Sequence, residues 1–580
     1  MTTKKKIYLQ NIVIFTMALF TAGILLQQRV SSLSHLIPVS DELWVVNATI
    51  ATAETGEPQL KPSNHQVAYN ANYPEEGYTK VRQYAVEYYL RAFVYKVAKT
   101  LGVEWKYLSN LFYFFLFASL PLFLYVFFKR TLLPLPTFAF LFILIGASVW
   151  ASSAFHYVRY YSFTLIFVLV CHILASYCYF RWQQPLWKKI PLVLLIAWIP
   201  GGLIHTANYV LPAFWTMFSV AVILQRIFLA PNVSQKNKIR SLIVLAGLFI
   251  IGVLLASGII NSVLPFGNRN PIQAFLSRIQ KVDFSFTAIE AFGVLNFNTS
   301  IFGIITTVFI VGFATWQLPI LKKSGIFFWK ITLASTLFSF VLLLFLLDSN
   351  YAGYSGYNRY FFVVHVQYLL FLALCLTAIY RFLVKNVRKQ FSGKRVLIFS
   401  MIASPFVFSI LPLTDLPDMH YNFSIVPRLT TNYQEQVHDI AKRENTLVIS
   451  NHALFSLSLL DNNLIFLLSQ YPDTLNTMPV NSTVSLGERT RHGGEQIYQK
   501  QADGTIVGPL GLPLIGTKKD FCRTLAAYPG WNVLLLMHEY RLTAKMEPAL
   551  EKEMIQGDYL NQTLMKPARA FYYEICETPK

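Results

Sequence analysis

Two adjacent carboxylates, Asp41 and Glu42, follow the first apolar segment of the chain. Partial burial beside lipid raises the pKa of a carboxyl group and makes it a better proton acceptor near neutral pH. The pair therefore predicts a general base at a membrane surface. Capping is the alternative interpretation, since Ser40 or Asp41 could cap a helix that runs through Trp44 and Val45.

Two arginines, Arg159 and Arg359, each stand just before a long apolar segment. A guanidinium group stays charged at a membrane boundary and binds phosphate through two parallel hydrogen bonds, so both are candidate phosphate ligands. Snorkelling to lipid headgroups is the alternative for each of them. His156 and His205 are candidate substrate contacts at similar positions, and structural hydrogen bonding is the alternative for both.

Three tyrosines, Tyr351, Tyr354 and Tyr357, recur between glycines ahead of a late apolar segment. Tyrosine rings at this position could stack against a sugar. The alternative is the aromatic belt that membrane proteins place at the lipid–water boundary.

Composition decides what kind of element has to position these residues. The chain has 580 residues, of which 54% are apolar and only 13% are charged, and its mean hydropathy is +0.44. Soluble chains carry about 25% charged residues, so this composition excludes an ordinary soluble protein and predicts a polytopic membrane protein.

The apolar segments predict eleven membrane spans, because a helix needs roughly 20 apolar residues to cross the hydrocarbon core. They are 7–26, 110–128, 132–151, 161–180, 190–204, 209–227, 241–264, 301–318, 325–347, 360–380 and 396–413. The first has the length of an anchor and lacks a small-residue cleavage site, although a cleaved signal peptide is the competing interpretation.

The net charge of +20 would suit a nucleic-acid partner if the basic residues were clustered on one domain. Instead, most lysines and arginines of the membrane region fall in alternate short loops, which predicts a cytoplasmic N-terminus and an outward-facing C-terminus. We therefore expect no nucleic-acid partner. The general character of the chain favours a bacterial inner membrane.

Two long outer segments interrupt the short loops, and they predict a division into a membrane region, 1–413, and an extracytoplasmic domain, 414–580. The first outer loop, 27–109, contains an amphipathic helix over 81–101, which could lie at the membrane surface or pack on the next loop. The tail combines strand-like runs at 446–450, 532–537 and 570–575 with helical stretches, as a small α/β domain would.

The cysteines give a limited signal. Cys522 and Cys576 would both lie outside, where oxidation is possible, but their spacing leaves open whether they form a disulfide. Acidic residues beyond the Asp41 pair lack ligand spacing, so no tightly bound metal is expected.

Taken together, the acid pair, the helix ending in Thr55-Gly56-Glu57-Pro58 and the tyrosine-rich amphipathic helix resemble the polyprenyl-phosphate-dependent glycosyltransferases of the GT-C superfamily. The similarity is greatest to the protein O-mannosyltransferase and aminoarabinose transferase group. The segments 158–162 and 358–361, which contain Arg159 and Arg359, are weaker matches. This resemblance implies a polytopic α-helical fold of GT-C type with about eleven spans, followed by an extracytoplasmic α/β domain.

The resemblance also implies an activity, the inverting transfer of a sugar from a polyprenyl phosphate to a hydroxyl of a lipid, glycan or protein. It makes Asp41 the base, with Glu42 orienting it or binding the acceptor. The donor is a lipid-linked sugar, and no cofactor is expected. The rivals are a secondary transporter, for which inverted repeats and midplane charges would be expected, and a noncatalytic glycan-assembly subunit.

Overall fold

The structure is a computed structural model of the full chain. It describes residues 41–60, 79–80, 85–103, 135–147, 161–180, 184–204, 209–228, 234–256, 301–321, 323–346, 362–390, 439–441, 443–451, 464–471, 473–489, 495–508, 512–537, 547–559 and 563–577. The chain forms two compact units. The first spans 1–34 and 102–425, and the second combines 35–101 with 426–580.

Helices dominate the described residues. They are α1 (Asp41–Thr55), α2 (Ala85–Leu101), α3 (Leu135–Ala147), α4 (Tyr161–Phe180), α5 (Leu186–Ile199), α6 (Val210–Phe228), α7 (Gln235–Ala256), α8 (Ile301–Trp316), α9 (Lys323–Leu346), α10 (Phe362–Gln390), α11 (Lys518–Ala527), α12 (Pro548–Gln556) and α13 (Ala568–Phe571). A π-helical turn, Pro200–Ile204, continues α5, and another, Tyr572–Cys576, continues α13.

Four described helices are long and apolar enough to cross a membrane by length and composition. These spans are Tyr161–Phe180, Val210–Phe228, Gly325–Leu343 and Val363–Val384. The prediction of a polytopic helical membrane protein is confirmed at this level. The predicted spans 7–26, 110–128 and 396–413 lie outside the described residues, so the number eleven stays a prediction.

Helix α10 is the centre of the first unit, where it contacts α3, α4, α8 and α9. Polar side chains join these helices inside the apolar packing. The Gln367 amide on α10 bonds to the hydroxyls of Ser335 and Ser339 on α9, and Thr137 on α3 bonds to Thr377 at 2.8 Å. Hydrogen bonds of this kind between helices stabilise membrane bundles, which lack a hydrophobic drive for association in lipid.

The second unit contains a two-stranded and an eight-stranded sheet. The strands are β1 (Gln59–Leu60), β2 (Thr79–Lys80), β3 (Thr446–Ser450), β4 (Leu464–Leu468), β5 (Ser482–Arg489), β6 (Glu495–Lys500), β7 (Ile506–Val507), β8 (Pro513–Ile515), β9 (Asn532–Leu536) and β10 (Thr563–Pro567). The order in the larger sheet is β10-β9-β3-β4-β8-β7-β6-β5. Its centre, β9-β3-β4-β8, is parallel, and both edges are antiparallel.

The parallel centre is covered on both faces, which explains why β3 and β4 are wholly buried and why β4 is continuously apolar. One face packs against Phe521 and Leu525 of α11 and against Leu550 and Met554 of α12. The predicted α/β character of the tail is therefore confirmed for the described residues.

One strand prediction in the tail is wrong. Residues 570–575 form helix α13 and the π-helical turn after it, and the strand lies earlier, at β10. The buried residues Ala568, Phe571 and Ile575 recur at helical intervals of three and four, which turns one face toward the core. The aromatic run made this segment ambiguous between a strand and a helix.

Candidate functional site

The predicted acid pair lies in the first turn of α1. Within this helix Val45, Ala48, Thr49 and Thr52 are buried at helical spacing, so one face of α1 packs into the second unit. The backbone therefore agrees with the capping interpretation, under which a helix begins at this point. The side chains of Asp41 and Glu42 are not among those that the structure describes. Their roles as base and partner therefore stay predictions.

Helix α1 ends where the sequence motif predicts. Gly56 has a φ of +83°, and its N–H donates to the Thr52 carbonyl at 2.9 Å. This left-handed position is one that glycine occupies without steric cost, so it closes the helix and redirects the chain into β1.

Helix α2 packs against α1 and confirms the predicted helix in the first outer loop. Its inner face contains an ion pair, Glu87–Arg91, with 3.0 Å between Oε1 and Nε. The exposed fractions of these two side chains are 2% and 0%. Charges so deeply buried require close pairing, because desolvation is costly. Sequence reasoning did not identify this pair, although its i, i+4 spacing was visible.

The outer face of α2 has the opposite character. Tyr89, Phe93, Val97 and Leu101 are all exposed, and they follow one another at intervals of four residues. We call these four residues the outer stripe. Lys96 and Lys99 are exposed beside it. An apolar face with lysines at its edge is typical of a helix that lies in the headgroup region of a membrane.

The remaining predicted site residues lie outside the described residues. They are Arg159, Arg359, His156, His205, Tyr351, Tyr354 and Tyr357. The predicted grouping of these residues is therefore not tested. The helices that follow the two arginines are described, since α4 begins at Tyr161, as predicted, and α10 begins at Phe362.

Cys522 and Cys576 form a disulfide, which answers the question that the sequence left open. It joins α11 to the π-helical turn Tyr572–Cys576 across a sequence separation of 54 residues. Among the residues that the structure describes, no three His, Cys, Asp or Glu side chains come together as metal ligands would. The expectation of no bound metal stays a prediction.

A cluster of charged and aromatic side chains lies on the segment that contains Cys576, and the sequence analysis did not identify it. Glu574 accepts hydrogen bonds from Lys566 at 2.8 Å and from Tyr559 at 2.7 Å. These two bonds hold the pKa of the Glu574 carboxyl below its usual range, and the bond from Lys566 has the larger effect. On the same segment, the Cζ atom of Arg569 lies 5.6 Å from the centroid of the Tyr573 ring.

Searches of protein-family models, curated proteins and solved structures found no match to this chain.

Proposed function

We propose that the chain is a membrane glycosyltransferase that moves a sugar from a polyprenyl phosphate to a hydroxyl group on the outer face of the membrane. One observation carries the proposal: the acid pair begins α1, and α1 packs against α2, whose outer stripe suits a membrane surface. A lipid-linked donor presents its phosphate and sugar at that surface. A carboxylate held on such a helix would meet the sugar where lipid gives way to water.

In the proposed reaction, the acceptor oxygen attacks the anomeric carbon as the bond from that carbon to the phosphate oxygen breaks. The acceptor proton passes to the Asp41 carboxylate, and the polyprenyl phosphate leaves with the electron pair. The ionised carboxylate can also stabilise positive charge on the sugar ring. A phosphate is a good leaving group, so the reaction needs no general acid.

Arg159 and Arg359 are the proposed ligands of the donor phosphate, and Glu42 is the proposed partner of Asp41 or of the acceptor. His156, His205, Tyr351, Tyr354 and Tyr357 are proposed contacts of the substrates. The acceptor is a lipid, a glycan or a protein. The donor is a substrate, and the proposal includes no cofactor.

The second unit is proposed to face the periplasm or the cell exterior, with the N-terminus in the cytoplasm. The disulfide supports this orientation, because such bonds persist in oxidising compartments and are rare in the cytosol. The outer side of a bacterial inner membrane is therefore the proposed location of the reaction.

The test of the proposed function compares lipid extracts of cells that have and lack the gene, by mass spectrometry. A polyprenyl phosphate bearing a sugar is expected to accumulate when the protein is absent, because its consumer has been removed. The mass of the added group identifies the sugar. Unchanged lipid-linked sugars in both extracts would contradict the proposal.

The outer stripe gives a second prediction. A photoreactive benzoylphenylalanine in place of Phe93 is expected to crosslink to phospholipid several times more than the same residue in place of Lys99. Phe93 lies on the stripe and Lys99 beside it, and both are exposed. Crosslinking is measured in nanodiscs that contain radiolabelled phospholipid. Equal yields at the two positions would contradict contact between the stripe and lipid.

A further inference from the structure

The second unit has an open cavity of about 430 Å³ beside the disulfide. Helix α11 and the turn after it, with Pro529 and Gly530, form one wall. The other wall consists of Arg569, Tyr572, Tyr573 and Glu577. The disulfide joins the two walls covalently, so the cavity has a fixed framework. Its volume lies within the roughly 300–1,000 Å³ range of small-molecule sites.

The second wall presents an aromatic ring and a cation together. The side chain of Tyr573 is 49% exposed. The Nε and Nη2 atoms of Arg569 lie 3.4 and 3.3 Å from the Tyr573 hydroxyl oxygen, to which they donate. A guanidinium group has five N–H groups, so this contact uses only part of its donor capacity. The ring and its neighbouring donors form one composite surface.

The charges of the cavity select among ligands. Arg569 contributes a positive charge and Glu577 a negative one, which disfavours nucleic acid and polyphosphate, because these require an excess of cations. Glu574, which precedes Glu577 on this segment, is engaged with Lys566. The cavity therefore offers the exposed ring of Tyr573, the donors of Arg569 and the carboxylate acceptor of Glu577.

We infer that this cavity binds a pyranose unit of a glycan, with the sugar ring on Tyr573 and its hydroxyls between Arg569 and Glu577. A gluco- or galacto-configured pyranose has a face of axial C–H bonds that packs on the negative face of an aromatic ring. Its neighbouring hydroxyls both donate and accept, as a guanidinium and a carboxylate together require. The open shape of the cavity suits one residue of a longer chain.

Gly530 lines the cavity and has room for a side chain. A Cβ atom built at this position meets no heavy atom within 4 Å. The turn around Gly530 is closed by a backbone hydrogen bond, in which the Trp531 N–H donates to the Tyr528 carbonyl at 3.1 Å. This bond involves no atom of Gly530. A leucine at 530 would therefore project into open space at the cavity wall.

Binding of chitobiose and cellobiose to the full-length protein in nanodiscs is the test, measured by saturation-transfer NMR and titration. The wild-type protein is expected to bind at least one of them. Tyr573→Ala and Gly530→Leu are each expected to weaken that binding about tenfold or more, a loss of about 1.4 kcal/mol. Tyr573→Phe keeps the ring and is expected to retain most of the affinity.

Ile555→Ala is the matched control, because Ile555 is also an exposed apolar side chain, at 57%, and does not line the cavity. It is expected to bind as the wild type does. Binding of neither disaccharide, or binding that survives both Tyr573→Ala and Gly530→Leu, would overturn the inference. The inference does not rest on the proposed transferase activity. Sugar transfer by Asp41→Asn and disaccharide binding by Tyr573→Ala are measured separately, so failure of either proposal is visible without the other.

Discussion

Asp41→Asn is expected to reduce sugar transfer by about 10²- to 10⁴-fold, the usual contribution of a general base. Asparagine has nearly the shape of aspartate but cannot accept the proton of the acceptor hydroxyl. It also caps a helix about as well as aspartate does. The substitution therefore separates the two interpretations of this residue, since a residue that only caps α1 would tolerate it.

The measurement is transfer from a polyprenyl-phosphate sugar by purified protein in nanodiscs, with donor binding measured in parallel. Binding of the donor is expected to survive in Asp41→Asn, because the phosphate is assigned to other residues. Glu54→Gln is the matched control, as Glu54 is an exposed carboxylate near the other end of the same helix. It should transfer sugar at the wild-type rate. Full activity in Asp41→Asn would remove the base assignment.

Replacement of Cys522 and Cys576 by serine is expected to lower the free energy of unfolding of the α/β domain by about 4 kcal/mol. A disulfide restricts the unfolded chain, and the chain-entropy relation gives this value for a separation of 54 residues. The bond also joins α11 to the turn after α13, so its loss should loosen the cavity between them.

Thermal unfolding and trypsin resistance of the full chain, with and without a reducing agent, measure this effect. Reduction of the wild type should reproduce the behaviour of the double variant. Cys178→Ser is the control, because Cys178 is a free cysteine and only partly buried. A wild-type protein that unfolds identically under oxidising and reducing conditions would show that the disulfide contributes nothing.

The membrane helices were the most predictable part of the fold. The predicted span 161–180 coincides with α4, and 209–227 differs from α6 by one residue at each end. Such segments are apolar around their whole circumference, so composition and length suffice to find them. Helix α10 extends ten residues past its predicted span, through the basic segment that ends at Gln390, because the hydrophobic signal stops before the helix does.

The sheet was less predictable, because strand pairing is decided by contacts between distant residues. The buried strand β3 was visible as an apolar run, but its two parallel neighbours, β4 and β9, come from separate parts of the tail. The antiparallel strands β5 and β6 are rich in polar residues and gave no strand signal. The strand predicted at 570–575 was wrong because this segment gave a strand signal without being a strand. Its aromatic residues suit either a strand or a helix.

For the candidate site, the sequence predicted local structure better than it predicted grouping. The end of α1 before Gly56 follows from the left-handed conformation of that glycine, which acts within a few positions. The assignment of residues 35–101 to the same compact unit as the tail had no local signal. Nor did the cavity around Arg569 and Tyr573, which forms only when α11 and the final turn meet.

The division of the second unit between two distant stretches of chain has a consequence for biosynthesis. Residues 102–425 must leave the ribosome after the early stretch and before the late one begins. At the usual speed of translation, this delay is on the order of half a minute. Under the proposed orientation, the early stretch waits on the outer side of the membrane during that time, without the partner that completes its fold. In that orientation, the nascent loop is expected to need an extracytoplasmic chaperone until the tail follows.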